Sequence, residues 1–403
     1  MNLTFSTIEG KSQAFYLSVA TLVAFTLMGF VTFMMSYIEG HKNLGTSNVV
    51  PWGMPIVIAI YLIGLSAGSL ILSSLTYVFR KEEYRPIARM AVYMAMVLIL
   101  GAMISIALDL GRPEKTWRLF MFFVLNNMRS MFALNGILYG AYFAISFVYL
   151  AAILAEKSRL TRAIGILAIV WAALVHMGTG AIFGFISARP LFYSPIKPFE
   201  FLAAAMVSGL ALLLIAVMFV FKGAQRKFDR NILFSLSRLL LVLVIVLLVT
   251  VSVDKVTHLY TPDRDQILWL LTGPFSWVFW VLQVGFAYVL PLFLLLHPWT
   301  RKSIKGVLAA ALLVVIGIFG ERFVLVIPGM ANPLPFYPGK IEGVWGKAGF
   351  FPFVPAECLM SLGVFALMGL IFIFGLKYLE LLPADESGEP LGSPPQSPGP
   401  AFR

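Results

Sequence analysis

The sequence is poor in the residues that most catalytic sites use. Of 403 residues one is cysteine, four are histidine and 12% are charged. A single thiol, Cys358, excludes an internal disulfide and an iron–sulfur cluster held by this chain alone, because such clusters generally need four thiolates. A transmembrane b-type haem takes two deep histidines. Of His41, His176, His258 and His297, only His176 falls well inside an apolar run, so no haem and no metal site are expected. The chain also lacks a phosphate-cradling glycine loop, a nucleophile elbow and an HExxH pair, which removes ATPase and hydrolase readings.

What is abundant is apolar length. The composition is 60% hydrophobic with a mean hydropathy of +0.90, too greasy for a soluble domain. Apolar runs long enough to cross a hydrocarbon core of about 30 Å recur along the chain. The pattern predicts an all-α polytopic membrane protein with about ten spans, at 14–38, 52–79, 87–109, 130–155, 160–185, 200–221, 231–253, 268–297, 305–328 and 356–380. The first run is longer than the apolar region of a signal peptide and is expected to stay. The division expected is a helical membrane domain over 1–382, with four-helix bundles at 52–185 and 200–328. The Pro-, Gly- and Ser-rich segment 383–403 is expected to be a disordered cytoplasmic tail.

The net charge of +11 follows the topology rather than nucleic acid. The short loops 80–89, 156–162, 222–230 and 298–305 are dense in Lys and Arg, which marks them as cytoplasmic and puts both termini there. The opposite loops are longer and rich in Pro and aromatics. They offer either a docking floor for a partner or a simple cap. In the second helix, Gly64-x-x-x-Gly68 is expected to let helices approach closely and to line a shared cavity.

Ionisable groups at membrane depth mark functional sites by default. His176 lies about nine residues, or roughly 13 Å, below the outer end of its span. Asn135, Tyr61 and Thr179 fall at similar depth, Trp52 opens the second span, and Asp109 and Arg112 of "DLGRP" sit at the rim. An imidazole among amide and hydroxyl groups in an apolar slot can accept a proton from a bound hydroxyl as electrons leave, and a quinol headgroup matches that chemistry. A buried histidine equally serves as a structural hydrogen bond, and Asp109 with Arg112 as a helix-end salt bridge. In the second half, Glu321, Arg322, Asp254 and His258 form either a structural neutralised set or a candidate proton path. Glu200 starts the sixth span, and Glu357 is read as a cap.

"PWGMP", "IGLSAGS", "ALDLGRP", "ALVHMGTG" and "FPFVPAE" together resemble the NrfD/PsrC family of polysulfide-reductase-type membrane subunits, in its longer ten-helix branch with DsrP- and HybB-type members. The resemblance covers nearly the whole chain. It implies two four-helix bundles flanked by the first and last helices, and a haem-free quinone-reactive subunit in a bacterial or archaeal cytoplasmic membrane. It further implies a periplasmic ferredoxin-like iron–sulfur subunit and other subunits as partners, with His176 contacting the quinone. One departure is Leu134, where hydrogenase-type members carry a glutamate. The combined expectation is a non-autonomous oxidoreductase subunit exchanging electrons between menaquinol or quinone and an iron–sulfur partner. A secondary transporter and a structural anchor are the alternatives.

Overall fold

Uninterrupted apolar sequence in a lipid setting leaves the backbone one economical solution, the helix that bonds its own amides. A computed structural model describes residues 4–224, 226, 229–334 and 346–384. Among them ten helices are long and apolar enough to cross a membrane, and the protein is a multi-pass integral membrane protein. They are α1 Gln13–Glu39, α2 Met54–Tyr77, α3 Arg85–Asp109, α4 Met131–Leu154, α5 Ser158–Gly184, α6 Lys197–Gly223, α7 Arg230–Leu259, α8 Val278–Leu296, α9 Ile304–Ala331 and α10 Pro355–Tyr378.

Helices α2, α3, α4 and α5 pack on one another, as do α6, α7, α8 and α9, while α1 lies along α10. Burial separates the centre from the edge: 94% of the apolar window of α2 is buried, against 11% for α1. The small residues of α2 explain its central place. Gly68 meets the backbone of Ala205 and Gly209 of α6, and Gly64 faces Ser208. Without side chains between them, the two backbones come into direct contact. The Gly64/Gly68 face therefore forms the seam between the two helix groups, which differs from the expected cavity lining.

Three further differences from expectation have local causes. The eighth span does not run unbroken over 268–297. A short helix Arg264–Thr272 ends at Gly273 in an extended conformation, because Pro274 disfavours helical backbone at the residue before it. The span then starts at Val278 with π-helical turns through Val289. The connection after α3 is not a plain loop but coils into short turns over Pro113–Lys115, Thr116–Arg118 and Leu119–Val124. The tail does not begin at Pro383, since Leu382–Pro383 pairs antiparallel with Phe5–Ser6; the rest of the expected tail, 385–403, lies outside the described residues. Arg226 fastens this strand pair, donating to Pro383 O at 2.6 Å and Ser6 Oγ at 2.8 Å.

Candidate functional site

At the Trp52 end of α2, the first four-helix group leaves a cavity of about 190 Å³. Its wall is built from one face of α2 (Trp52, Ile56, Ala59, Ile60, Ile63), the end of α3 (Met103, Ile106, Ala107, Leu110), Thr116 and Val124 of the connection, Phe132, Gly136 and Tyr139 of α4, and Thr179, Ile182 and Phe183 of α5. Nearly all of this is hydrocarbon or aromatic ring. Phe132 stacks on Trp52 with ring centroids 6.2 Å apart, and Phe183 meets Trp52 edge-on at 5.9 Å.

Two hydroxyl features interrupt the apolar wall. Thr179 donates to Val175 O at 2.7 Å, so its single proton is committed. The Tyr139 hydroxyl, 2.9 Å away, therefore donates to Thr179 Oγ1 and keeps its own oxygen free to accept. The Thr116 hydroxyl is buried without a hydrogen-bond partner, and an orphan of this kind asks for a reason. A cavity with mostly apolar walls and a few convergent polar groups is the usual form of a small-molecule site.

The sequence-predicted residues divide around this cavity. Trp52 and Thr179 are in its wall. His176 lies behind the wall: Nδ1 faces Ala172 O at 2.8 Å and Nε2 faces Ile63 O at 2.9 Å. A neutral imidazole has one N–H, so it donates to one of these carbonyls at a time. With the proton on Nε2 the ring donates to Ile63 O and ties α5 to the α2 backbone at a wall residue; with it on Nδ1 the bond stays within α5. Asn135 is buried one turn from Tyr139 and donates to Met131 O at 2.7 Å, while its Oδ1 has no hydrogen-bond partner.

Tyr61 does not join this group. Its hydroxyl donates to Val315 O of α9 at 2.9 Å, and its ring packs on Phe319 and Phe365. Asp109 and Arg112 form no ion pair, and Arg112 points into the open. Asp109 instead accepts from the Gly53 amide, beside Glu357. Glu357 accepts from Gly45 N at 2.9 Å and Met54 N at 3.4 Å. The predicted cap is thus a cap on α2 rather than on its own helix. Two acids converge where the amides of the first turn of α2 favour negative charge, next to Trp52.

The second helix group holds a different construction. Lys197 bridges Glu200 and Asp254, both at 2.9 Å, and Lys255 reaches Asp254 at 2.9 Å. Arg322 lies 3.3 Å from Glu321, and Tyr288 donates to Glu321 at 2.8 Å. His258 is buried near the end of α7. Three cations thus face three carboxylates, as buried charges require, around a space of about 20 Å³. Among the described residues, no group of three or more His, Cys, Asp and Glu side chains could hold a metal.

Sequence reasoning missed Tyr139, although it follows Asn135 by four residues and so shares its helix face. It also missed Lys197, Lys255, Gln283 and Tyr288, which sit at or inside span ends.

The polysulphide reductase NrfD family model matches residues 42–333. The chain belongs to this family. The matched part of this NrfD-family chain includes every cavity-wall residue. The chain is 35% identical over 390 residues to a protein of Archaeoglobus fulgidus named the integral membrane subunit of an Hdr-like menaquinol oxidoreductase, covering 95% of this chain and 98% of that one. It is 28% identical over 357 residues to one of the selenate reductase subunits of Mesobacillus selenatarsenatis, covering 79% and 82%.

Proposed function

We propose that this chain is the quinone-interacting membrane subunit of a respiratory oxidoreductase complex, and that menaquinol or its quinone binds in the cavity of the first helix group. The single observation that carries this is the cavity: apolar, sized for a compact ring system, and bearing the Tyr139–Thr179 pair and the unpartnered Thr116 hydroxyl. A menaquinol oxidoreductase membrane subunit matching nearly end to end supports the choice of ligand.

The hydroxyls suit both redox states of such a ring. Tyr139, already donating to Thr179, accepts from a quinol hydroxyl; Thr116 either accepts from a quinol or donates to a quinone carbonyl. Oxidation of the quinol to the quinone releases two electrons and two protons. The electrons leave to a partner, proposed as a ferredoxin-like iron–sulfur subunit on the periplasmic side, since this chain's one cysteine cannot build a cluster. The protons have acceptors near Trp52 in Asp109 and Glu357. His176 and Asn135 act from behind the wall as positioning residues, with His176 fixing Ile63. In this orientation the Trp52 end faces the periplasm, both termini face the cytoplasm, and the membrane is the cytoplasmic one. The same groups serve quinone reduction. The charged cluster of Lys197, Asp254, Glu321, Arg322 and His258 is proposed as the framework of the second group and as the proton path through it. The apolar lining speaks against a polar transported solute.

Titration of the purified protein with a fluorescent hydroxyquinoline-type quinol analogue tests the proposal. Saturable binding is expected, and Ala107→Phe, which fills the cavity, should abolish it without unfolding the protein. An Ala107→Phe variant that binds like the wild type, or a wild type that does not bind with its partner subunits present, rejects the site.

A further inference from the structure

Between α3 and α4 the chain makes an exposed greasy surface that the cavity alone does not explain. Trp117, Met121, Phe122, Leu125 and Met128 are all large, apolar and about half or more exposed, with Phe122 at 68%. A contiguous apolar patch of this kind marks an interaction surface.

The segment is built for lipid rather than for water. Asn126 folds back to donate to Met121 O at 2.9 Å and Phe122 O at 3.3 Å, Asn127 N donates to Phe123 O at 3.0 Å, and Ser130 N to Asn127 O at 3.0 Å. The turn thus closes its own backbone polar groups, as a lipid-facing stretch must. Its charges are Arg112, Lys115, Arg118 and Arg129, against the single acid Glu114. Cations at the edge of an apolar face suit phosphate headgroups, with their stems along the apolar surface. The Arg118 guanidinium lies 5.3 Å from the Trp117 ring, a pairing of the kind found at the membrane interface.

The opposite side of the same segment is cavity wall. Val124 is buried and contacts the Gly136 position of α4, and Thr116 carries the unpartnered hydroxyl. Three wall residues, Met103, Leu110 and Phe132, are nonetheless 38–40% exposed. They lie on the flank between α3 and α4, and Met103 sits about 9 Å along α3 from its end. Exposed wall surface therefore reaches the helix flank at Met103 as well as the helix ends at Leu110 and Phe132.

We propose that the segment from Arg112 to Arg129 is an interfacial lintel lying in the bilayer surface, and that the cavity beneath it opens laterally into the lipid. Its ligand is then an amphiphile whose ring enters between α3 and α4 while an apolar tail stays in the membrane. The tail preference rests on the functional proposal for the cavity; the seating of the lintel in lipid stands apart from it.

The full chain, with any subunits that co-purify, is reconstituted into phospholipid vesicles with Phe122→Cys in a Cys358→Ser background and spin-labelled. Collision with oxygen, which concentrates in the bilayer, should exceed collision with a water-soluble nickel chelate. Greater access to the chelate, or access to neither reagent because protein covers the site, overturns the lintel. A second measurement compares association rates of a naphthoquinone analogue carrying an isoprenoid tail. Met103→Trp should slow its association at least tenfold by narrowing the mouth. An unchanged rate overturns the lateral opening. A label in lipid combined with no analogue binding at all rejects the functional proposal and leaves the lintel standing.

Discussion

The two four-helix groups share one architecture and fill it oppositely. The first leaves about 190 Å³ lined by hydrocarbon and rings, with hydroxyls as its polar groups. The second closes around five buried charges, with the half-buried Lys255 beside them, and leaves about 20 Å³, room for a water or two. A site that keeps its polar groups few and uncommitted can receive a ligand. One whose charges bind each other has already satisfied itself, so its loss shows first in stability. The comparison is broken if substitutions in the charged set of the second group change ligand affinity more than folding, or if substitutions of the cavity wall in the first do the reverse.

The largest effect should come from Lys197→Met. It leaves Glu200 and Asp254 buried with a cation removed, a loss of about 3–5 kcal/mol for breaking such a set, read as a collapse of the thermal unfolding midpoint in detergent. Replacing Lys197, Glu200 and Asp254 together by Met, Gln and Asn should recover much of the midpoint. Gly68→Val tests the seam between the groups. A side chain there meets the Ala205 backbone, and overpacking of this kind costs roughly 1–3 kcal/mol, so the midpoint should drop while the affinity of the folded fraction for a quinol analogue stays the same. Removing the His176 ring with His176→Ala releases Ile63 from α5, and about 1–3 kcal/mol is lost when a buried partner goes missing. His176→Gln, able to donate again, should restore part of the stability. A direct proton acceptor would instead show as a change in the pH profile of quinol oxidation with stability intact. The smallest effect expected is Tyr139→Phe, which removes one accepting hydroxyl from the wall. A net contribution of about 0.5–1.5 kcal/mol weakens analogue binding by roughly 2–13-fold, while the lost bond to Thr179 lowers the midpoint less than any of the substitutions above.

Much of this was legible in the sequence. Span count and most boundaries followed from apolar length and loop charge, and the break in the eighth span was written in Gly273–Pro274. The facing of α2 was not. That helix is apolar on every side because it is buried on every side, so periodicity gives no direction and Tyr61 could not be assigned to α9 rather than to the cavity. Lys197 and Glu200 are legible as a pair three residues apart, but Asp254 joins them from 57 residues away, which needs the fold. Glu357 likewise reaches the start of α2 from the last helix. The segment after α3 reads as a loop because Gly111 and Pro113 punctuate it, and its turns close through local bonds such as those of Asn126.

Photoaffinity labelling with an azido-substituted menaquinone analogue, followed by peptide mapping, addresses the cavity most directly. Labelled peptides should contain Thr116–Val124 and Phe132–Tyr139, and excess unlabelled analogue should protect them. Protectable labelling concentrated instead on α7, α8 or α9 would place the ligand in the second group and contradict the account.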